Sequence, residues 1–132
     1  MCSVDIVLAD PIFVGEGPSR SRVVVELTSM TVSGDRLNGK MAGSAAADWL
    51  TIVGTVGSID VRATIDTDDG ALVFAQYRGR TDVSGGPGSA PIYVAPVFET
   101  GDARYQWLNT IQAVGKGQLE GTDLRYEWFE LR

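Results

Sequence analysis

Residues 59 to 77 read IDVRATIDTDDGALVFAQY, and this stretch decides the fold. Its centre, Asp68-Asp69-Gly70, is a tight-turn signal between two alternating runs, so the stretch predicts a β-hairpin. In the first run, from 59 to 67, apolar side chains occupy one face and polar side chains the other. The second run, from 71 to 83, is apolar on both faces. Such a strand is typical of a barrel wall whose interior is filled or holds a small ligand.

Short apolar runs separated by Gly, Asp, Asn and Ser fill the rest of the chain. They lie at residues 4–8, 22–30, 37–41, 48–53, 92–98, 111–119 and 124–131. With the hairpin they make about eight to nine strands with turns about every 8–12 residues, the pattern of a β-sandwich or β-barrel. Tyr126 and Trp128 share a face of the last run and are expected in the core. One short helical turn is predicted near residues 102–108, with Thr100 or Asp102 as its cap.

The composition limits the partners and the compartment. The chain has 132 residues, enough for a single domain over residues 1–132 to bury a core without disulfides. The net charge is −6 and there is no basic tract, so we expect no nucleic-acid partner. No apolar run approaches about 20 residues, so we expect no membrane span. A single cysteine and no signal-peptide pattern suggest a cytoplasmic protein.

The absence of histidine limits the chemistry. It excludes a Ser-His-Asp triad and a histidine zinc site, so acid–base catalysis falls to carboxylates, tyrosine or lysine. The pair Asp68-Asp69 suggests a metal site, but Gly70 favours a turn, and the rest of a calcium loop is missing. There is no glycine-rich nucleotide fingerprint and no Cys/His cluster. We therefore expect neither a metal nor a cofactor.

Several motifs along the chain occur together in one known family. They are Ala47-Asp48-Trp49, Asp60-Val61-Arg62, Thr67-Asp68-Asp69-Gly70-Ala71, Tyr77-Arg78-Gly79, Pro96-Val97-Phe98-Glu99-Thr100-Gly101-Asp102, Arg104-Tyr105 and Trp107-Leu108-Asn109. In order and spacing they resemble the small bacterial and fungal β-barrel proteins of the domain of unknown function 3237 family, from about residue 20 to 132. The resemblance implies a single antiparallel β-barrel, similar to allene-oxide-cyclase-like and lipocalin-like barrels, and it implies no function. One departure is the alanine-rich segment at 44–47, where the resemblance leads us to expect glycines.

Four residues are candidates for catalysis, and each has a structural alternative. Asp48 begins a strand: inside an apolar barrel its pKa would rise and suit proton transfer, whereas in a loop it would cap backbone amides. Arg62 lies either on a solvated face or in the interior, where it would pair with a carboxylate or clamp a substrate oxyanion. Tyr77 either packs in the wall or donates a hydrogen bond to a developing oxyanion. Glu99 is either a base or a capping group.

The stretch at 98–109 carries more polar and aromatic groups than a connection needs, as binding loops often do. Alternatively, its tyrosine, tryptophan and leucine side chains form a short turn of helix that plugs one end of a core. The two interpretations are compatible. The candidate substrate-binding residues, in this stretch and beside Asp48, are Trp49, Tyr105, Trp107 and Asn109.

These residues leave two functions open. The first is a cofactor-independent enzyme of the isomerase, cyclase, epoxide-opening or lyase type that uses carboxylate acid–base chemistry on a partly apolar organic molecule. The second is a non-catalytic binder or carrier of a small-molecule ligand. A homodimer formed through an apolar outer face is compatible with both.

Overall fold

The computed structural model describes all 132 residues. They form eleven strands and one 3₁₀ helix, with short connections between them. No helix has the length and apolar character needed to cross a membrane. The strands are β1 (Cys2–Leu8), β2 (Ile12–Glu16), β3 (Ser21–Gly34), β4 (Gly39–Met41), β5 (Ala47–Val53), β6 (Val56–Thr67), β7 (Leu72–Asp82), β8 (Ile92–Val94), β9 (Val97–Glu99), β10 (Ala113–Glu120) and β11 (Asp123–Glu130), and the 3₁₀ helix is Ala103–Thr110.

Eight of the strands close into an antiparallel barrel. Around the wall the order is β6, β5, β3, β1, β11, β10, β8 and β7, and pairing of β7 with β6 closes the ring. The remaining strands β2, β4 and β9 add to this wall without being part of the ring. The predicted all-β barrel of eight to nine strands is therefore confirmed. The run at 92–98 is two strands rather than one, since β8 pairs with β7 and β10 while β9 pairs with β7 alone.

The hairpin predicted from residues 59–77 is the longest pairing of the sheet. β6 and β7 are in register from Val56 opposite Asp82 to Asp66 opposite Leu72. Between them, Thr67 Oγ1 donates to an Asp69 carboxylate oxygen at 2.7 Å, and the next glycine takes a φ of +89° that only glycine adopts readily. The turn interpretation of Asp68-Asp69-Gly70 is confirmed.

The β2 strand was not predicted from the sequence. All five of its residues are exposed, so it shows no alternation between a buried and a solvated face. It also follows Asp10-Pro11, a pair that predicts the end of a strand rather than an approach to another. It extends the wall beyond β1 by pairing with the first residues of β3.

One part of the interior is solid and aromatic. Tyr77, Tyr126 and Trp128 are almost fully buried, and the Tyr77 and Trp128 rings meet edge to face with centroids 5.4 Å apart. On the neighbouring strand β10, Gly115 lies opposite Trp128 and Gly117 opposite Tyr126. These two glycines leave the space that the large rings of β11 fill.

The 3₁₀ helix packs against this core at one end of the barrel. It spans residues 103 to 110, close to the predicted 102–108, and Asp102 caps it by accepting a hydrogen bond from the Arg104 backbone N–H at 2.9 Å. Tyr105 and Leu108 are its buried residues. The Tyr105 hydroxyl donates to Asp69 Oδ1 at 2.8 Å, which ties the helix to the β6–β7 turn.

Candidate functional site

The barrel encloses an apolar cavity of about 330 Å³ beside the aromatic core. Sixteen of the 22 residues that line it are hydrophobic, so its inner surface is largely hydrocarbon. Only two lining residues are charged: Asp48 within the wall and Asp82 at the end of β7. The hydrophobic lining from β3, β5 and β6 comprises Val23, Val25, Leu27, Leu50, Ile52, Ile59 and Val61.

The mouth of the cavity lies between β2 and the connection that follows β7. Phe13 of β2 lines the cavity and is nevertheless 77% exposed, which places its ring at the opening. Val83 and the Gly86-Pro87-Gly88 segment line the facing side. The entrance is therefore bordered by β2 and by the connection that follows β7.

Asp48 is held at a gap in the ladder between β5 and β6. The two strands pair at Asp48 with Val61 and again at Thr51 with Ser58, but not in between. In this gap the backbone N–H of Asp60 donates to Asp48 Oδ1 at 2.9 Å. A carboxylate thus takes the place of a ladder carbonyl. The hydrogen bond fixes one oxygen of Asp48, and the other oxygen is left without a protein donor.

Burial raises the pKa of Asp48 from 3.8 to about 6. The hydrogen bond from the Asp60 amide acts in the opposite direction, and the negative charge of Asp60 adds to the rise. Burial outweighs the single hydrogen bond because an apolar lining offers the carboxylate no other solvation. Asp48 therefore changes its protonation near neutral pH, where a general base or acid is most effective.

Two tyrosines share the cavity with Asp48. Tyr77 and Tyr126 both line it, and their ring centroids are 5.7 Å apart. Burial raises the pKa of both phenols, and the charge of Asp48 contributes to each rise. Both hydroxyls consequently stay protonated at neutral pH and are available as hydrogen-bond donors.

Two predicted site residues lie on the opposite side of the wall. Asp48 and Tyr77 line the cavity. Trp49 in β5 and Arg62 in β6 occupy the alternate positions of their strands, which point outward, and both side chains are exposed on the outer surface. There the Arg62 guanidinium lies 5.9 Å from the centre of the Trp49 ring. An interior partnership of Asp48 with Arg62 is excluded, since alternation along β5 and β6 directs them to different faces.

Glu99 and Asn109 do not reach the cavity either. They line an open depression on the outside of the barrel, bordered by β7 and β9. The Asn109 amide is used within the fold: its Oδ1 accepts from the Thr100 N–H at 2.8 Å, and its Nδ2 donates to the Thr100 carbonyl at 3.0 Å. Asn109 therefore holds the loop before the 3₁₀ helix.

Tyr105 and Trp107 belong to the helical plug at the end of the barrel. Tyr105 is buried against the core, and Trp107 stacks under the Arg36 guanidinium, which lies 3.6 Å from the ring centre. Neither residue lines the cavity. The structural interpretation of the 98–109 stretch thus accounts for its aromatic side chains, and the cavity is built from other parts of the chain.

The cavity also contains functional candidates that sequence reasoning missed. The sequence predicts Tyr126 only as a core residue, and Phe13 belongs to β2, a strand that no sequence pattern predicts. A signal for Tyr126 existed: it faces Gly117 across the last hairpin, where the missing side chain leaves room for a phenol to turn inward. No group of three or more Cys, Asp or Glu side chains converges in a way that could hold a metal ion.

Solved structures with this fold come from distant organisms. A β-barrel-like protein from Acinetobacter baumannii AYE is similar with a TM-score of 0.90 and 26% identity, covering 100% of this chain and 93% of that one. A protein of unknown function from Clostridium acetobutylicum has a TM-score of 0.89 at 23% identity, with 99% and 96% covered. An enzyme from Penicillium herquei has a TM-score of 0.76 at 21% identity, with 99% and 91% covered.

A family model matches almost the whole sequence. Residues 1–131 match the family model described as "Protein of unknown function (DUF3237)". No curated protein matches the sequence.

Proposed function

The chain belongs to the DUF3237 family, and we propose that it is a cofactor-independent enzyme that moves protons on a small, largely apolar organic molecule. The observation that carries the proposal is the position of Asp48, an acid with a raised pKa directed into an apolar cavity of about 330 Å³. Burying an ionisable group costs stability, so such groups concentrate at functional sites. A cavity that results only from imperfect packing of the core does not require a buried carboxylate in its lining.

Asp48 supplies the proton transfer. When ionised, its free oxygen accepts a proton from a carbon next to a carbonyl group of the ligand, and the electron pair moves onto the carbonyl oxygen. Return of the proton to another carbon isomerises the molecule. Alternatively, the enolate carbon attacks an epoxide carbon of the same molecule, which forms a carbon–carbon bond, closes a ring and breaks the epoxide C–O bond, and the proton on Asp48 goes to the released alkoxide oxygen. In the lyase outcome of the same first step, the enolate expels a leaving group from the β carbon, a carbon–carbon double bond forms, and the proton on Asp48 passes to the departing group.

The two cavity tyrosines supply oxyanion stabilisation. The hydroxyls of Tyr77 and Tyr126 remain protonated and face the same space as Asp48. A hydrogen bond from either phenol to the enolate oxygen strengthens as negative charge develops on that oxygen, which lowers the barrier to proton removal. This role replaces the one that the sequence suggested for Arg62, which is on the outside of the wall.

An enzyme with the same fold supports catalysis over storage. The enzyme from Penicillium herquei has a TM-score of 0.76 with this chain, so a barrel of this shape accommodates an activity in at least one case. At 21% identity its substrate does not transfer. The second candidate, a carrier, is favoured by a different observation: apart from Asp48 and the tyrosine hydroxyls, the inner cavity offers mainly apolar contact.

Ligand binding and proton exchange together test the proposal. A panel of cyclic and aromatic ketones, enones and epoxy ketones is first screened for compounds that raise the melting temperature. Compounds that bind are then incubated with the protein in D₂O, and deuterium uptake next to the carbonyl is followed by NMR. This measurement detects proton removal even when the product is identical to the substrate.

Three variants give the experiment its resolution. We expect Asp48→Asn to bind the same compounds while exchange slows by about 100-fold or more. Tyr77→Phe should retain binding and slow exchange less severely. Asp123→Asn makes the same charge change on the outer surface of β11 and should exchange like the natural protein. Binding without exchange in both the natural protein and Asp48→Asn would establish the carrier and exclude the enzyme.

A further inference from the structure

The outer surface of the wall behind Asp48 carries an unusual concentration of arginine. Five of the eleven basic residues of this acidic chain line two adjoining depressions. The depressions lie on the outside of β3, β5, β6 and β7. We name this surface the outer arginine face. Its arginines are Arg20, Arg22, Arg62, Arg78 and Arg80.

Strand register places two of these arginines at the ends of one row. Arg22 lies opposite Thr51, Thr51 opposite Ser58, and Ser58 opposite Arg80. With ordinary strand spacing the row is about 14 Å long. The Arg80 guanidinium folds toward the middle of the row, because its Nη1 donates to Ser58 Oγ at 2.7 Å. The Arg22 guanidinium reaches across to β5, where its Nη1 donates to the Trp49 carbonyl at 2.8 Å.

These contacts leave most of the positive charge uncompensated. The acceptors of Arg22 and Arg80 are a neutral carbonyl and a neutral hydroxyl, so neither guanidinium is in an ion pair. Asp60 is the only carboxylate lining the depressions, and it approaches Arg78 at a distance of 3.7 Å. Positive charges held on neighbouring strands without a counter-charge repel one another. An anion bound between them offsets this electrostatic repulsion.

The face also offers a flat apolar surface. The Trp49 side chain is 39% exposed and lies in both depressions, which have volumes of about 570 and 470 Å³. The Arg62 guanidinium lies 5.9 Å from the centre of the Trp49 ring. The combination of an exposed indole with several guanidiniums around the same depressions matches a molecule that has a ring and an anionic group.

We propose that the outer arginine face is a second binding site, for a small molecule that carries a phosphate or carboxylate group on a flat ring. Guanidinium groups bind the oxygens of such anions through paired, charge-assisted hydrogen bonds. The ring stacks on Trp49 while the anion occupies the row between Arg22 and Arg80. The charge of the chain favours a small molecule over a polymer. The surface beyond this face is acidic, so it repels an extended polyanion.

Titration with phenyl phosphate at low ionic strength tests the site, with binding followed by calorimetry. We expect binding by the natural protein, weakened about tenfold or more in the double variant Arg22→Gln/Arg80→Gln. The matched control is Arg125→Gln/Arg132→Gln, which removes the same charge from exposed positions elsewhere and should bind as the natural protein does. Asp48→Asn, which alters the cavity on the other side of the wall, should also leave this binding unchanged.

Three results would overturn the proposal. The first is no binding of phenyl phosphate, and the second is equal weakening in the two double variants, which would mean attraction by net charge alone. The third is tighter binding of a short single-stranded oligonucleotide than of phenyl phosphate, which would identify a polymeric partner.

The role of the ring is tested separately. Phenyl phosphate should bind more tightly than inorganic phosphate, and Trp49→Ala should abolish that preference. Equal binding of the two ligands would contradict the stacking role of the ring.

Discussion

The carboxylate of Asp48 accepts a hydrogen bond from the backbone N–H of Asp60 at 2.9 Å, across a gap in the pairing of β5 with β6. The gap allows the backbone of the wall itself to position an acid, so no second charged side chain is needed to hold Asp48. Because one hydrogen bond does not replace the water that burial removes, the pKa of Asp48 still rises to about 6. Fixed orientation and a pKa close to neutral are both properties that proton transfer requires.

Replacing Asp48 should change how stability depends on pH. The folded-state pKa of about 6 is above the ordinary value of 3.8, so the folded protein binds more protons than the unfolded chain between these values. Stability from this group is therefore full below about pH 4, falls as pH rises to about 6, and stays low above it. The difference amounts to about 3 kcal/mol at about 1.4 kcal/mol per pKa unit.

Asp48→Asn keeps an acceptor for the Asp60 amide and removes the charge. We expect this variant to be more stable than the natural protein at pH 7.5, and the advantage should shrink as the pH is lowered to 4. Urea unfolding of the two proteins across this range measures the effect, with Asp123→Asn as the surface control. A constant difference between the natural protein and Asp48→Asn at every pH would contradict a raised pKa.

The glycine opposite Tyr126 should not tolerate a side chain. A Cβ on Gly117 would lie 2.5 Å from Cε1 of the Tyr126 ring, closer than van der Waals contact allows, so the ring or the backbone would have to shift. We expect Gly117→Ala to cost about 1–3 kcal/mol of unfolding free energy, as overpacked cores do. Gly101→Ala is the control, since no atom lies within 4 Å of its Cβ position. Similar stabilities of the two variants in urea would mean that the β10–β11 hairpin adapts freely.

Strand alternation explains how much of this fold was predictable. The hairpin of β6 and β7 was found because its residues alternate, and the same alternation separates Asp48 from Arg62 once the inner face is known. β2 was missed because a strand exposed along its whole length has no such pattern. Phe13 at the cavity mouth belongs to β2, so the sequence did not identify it as a site residue either. Sequence periodicity reports burial, so it cannot locate a strand whose residues are all exposed.

The 98–109 stretch shows a different limit of sequence reasoning. Its polar and aromatic groups fit both a binding loop and a helical plug, and in the structure the Asn109 amide bonds to Thr100 and the Tyr105 hydroxyl bonds to Asp69. Residue types that suit catalysis also suit the closing of a barrel end. Which use prevails depends on partners distant in sequence, such as Asp69, and these are known only from the fold.

The single thiol should report unfolding. Cys2 is buried in β1, and burial raises the pKa of its thiol to about 11 despite the opposing charge of the N-terminus. We expect almost no reaction with Ellman's reagent at pH 8 in native buffer and full reaction in denaturant, because the thiolate is the reactive form. A Cys2→Ala/Ser19→Cys variant, with its thiol in the exposed connection after β2, should react at once. Rapid labelling of the natural protein would show that the first strand opens.

Enlarging a side chain should distinguish the cavity from the solid core on one strand. Val61 and Ala63 are both buried residues of β6 on the same face, but only Val61 lines the cavity. We expect Val61→Phe to fold with little loss of stability, because its ring enters open space beside Asp48, and to lose ligand binding. Ala63→Phe should cost about 1–3 kcal/mol, because its ring has no space to occupy. Thermal unfolding and the ketone screen measure both effects, and equal destabilisation by the two substitutions would mean that the interior has no room for a ligand.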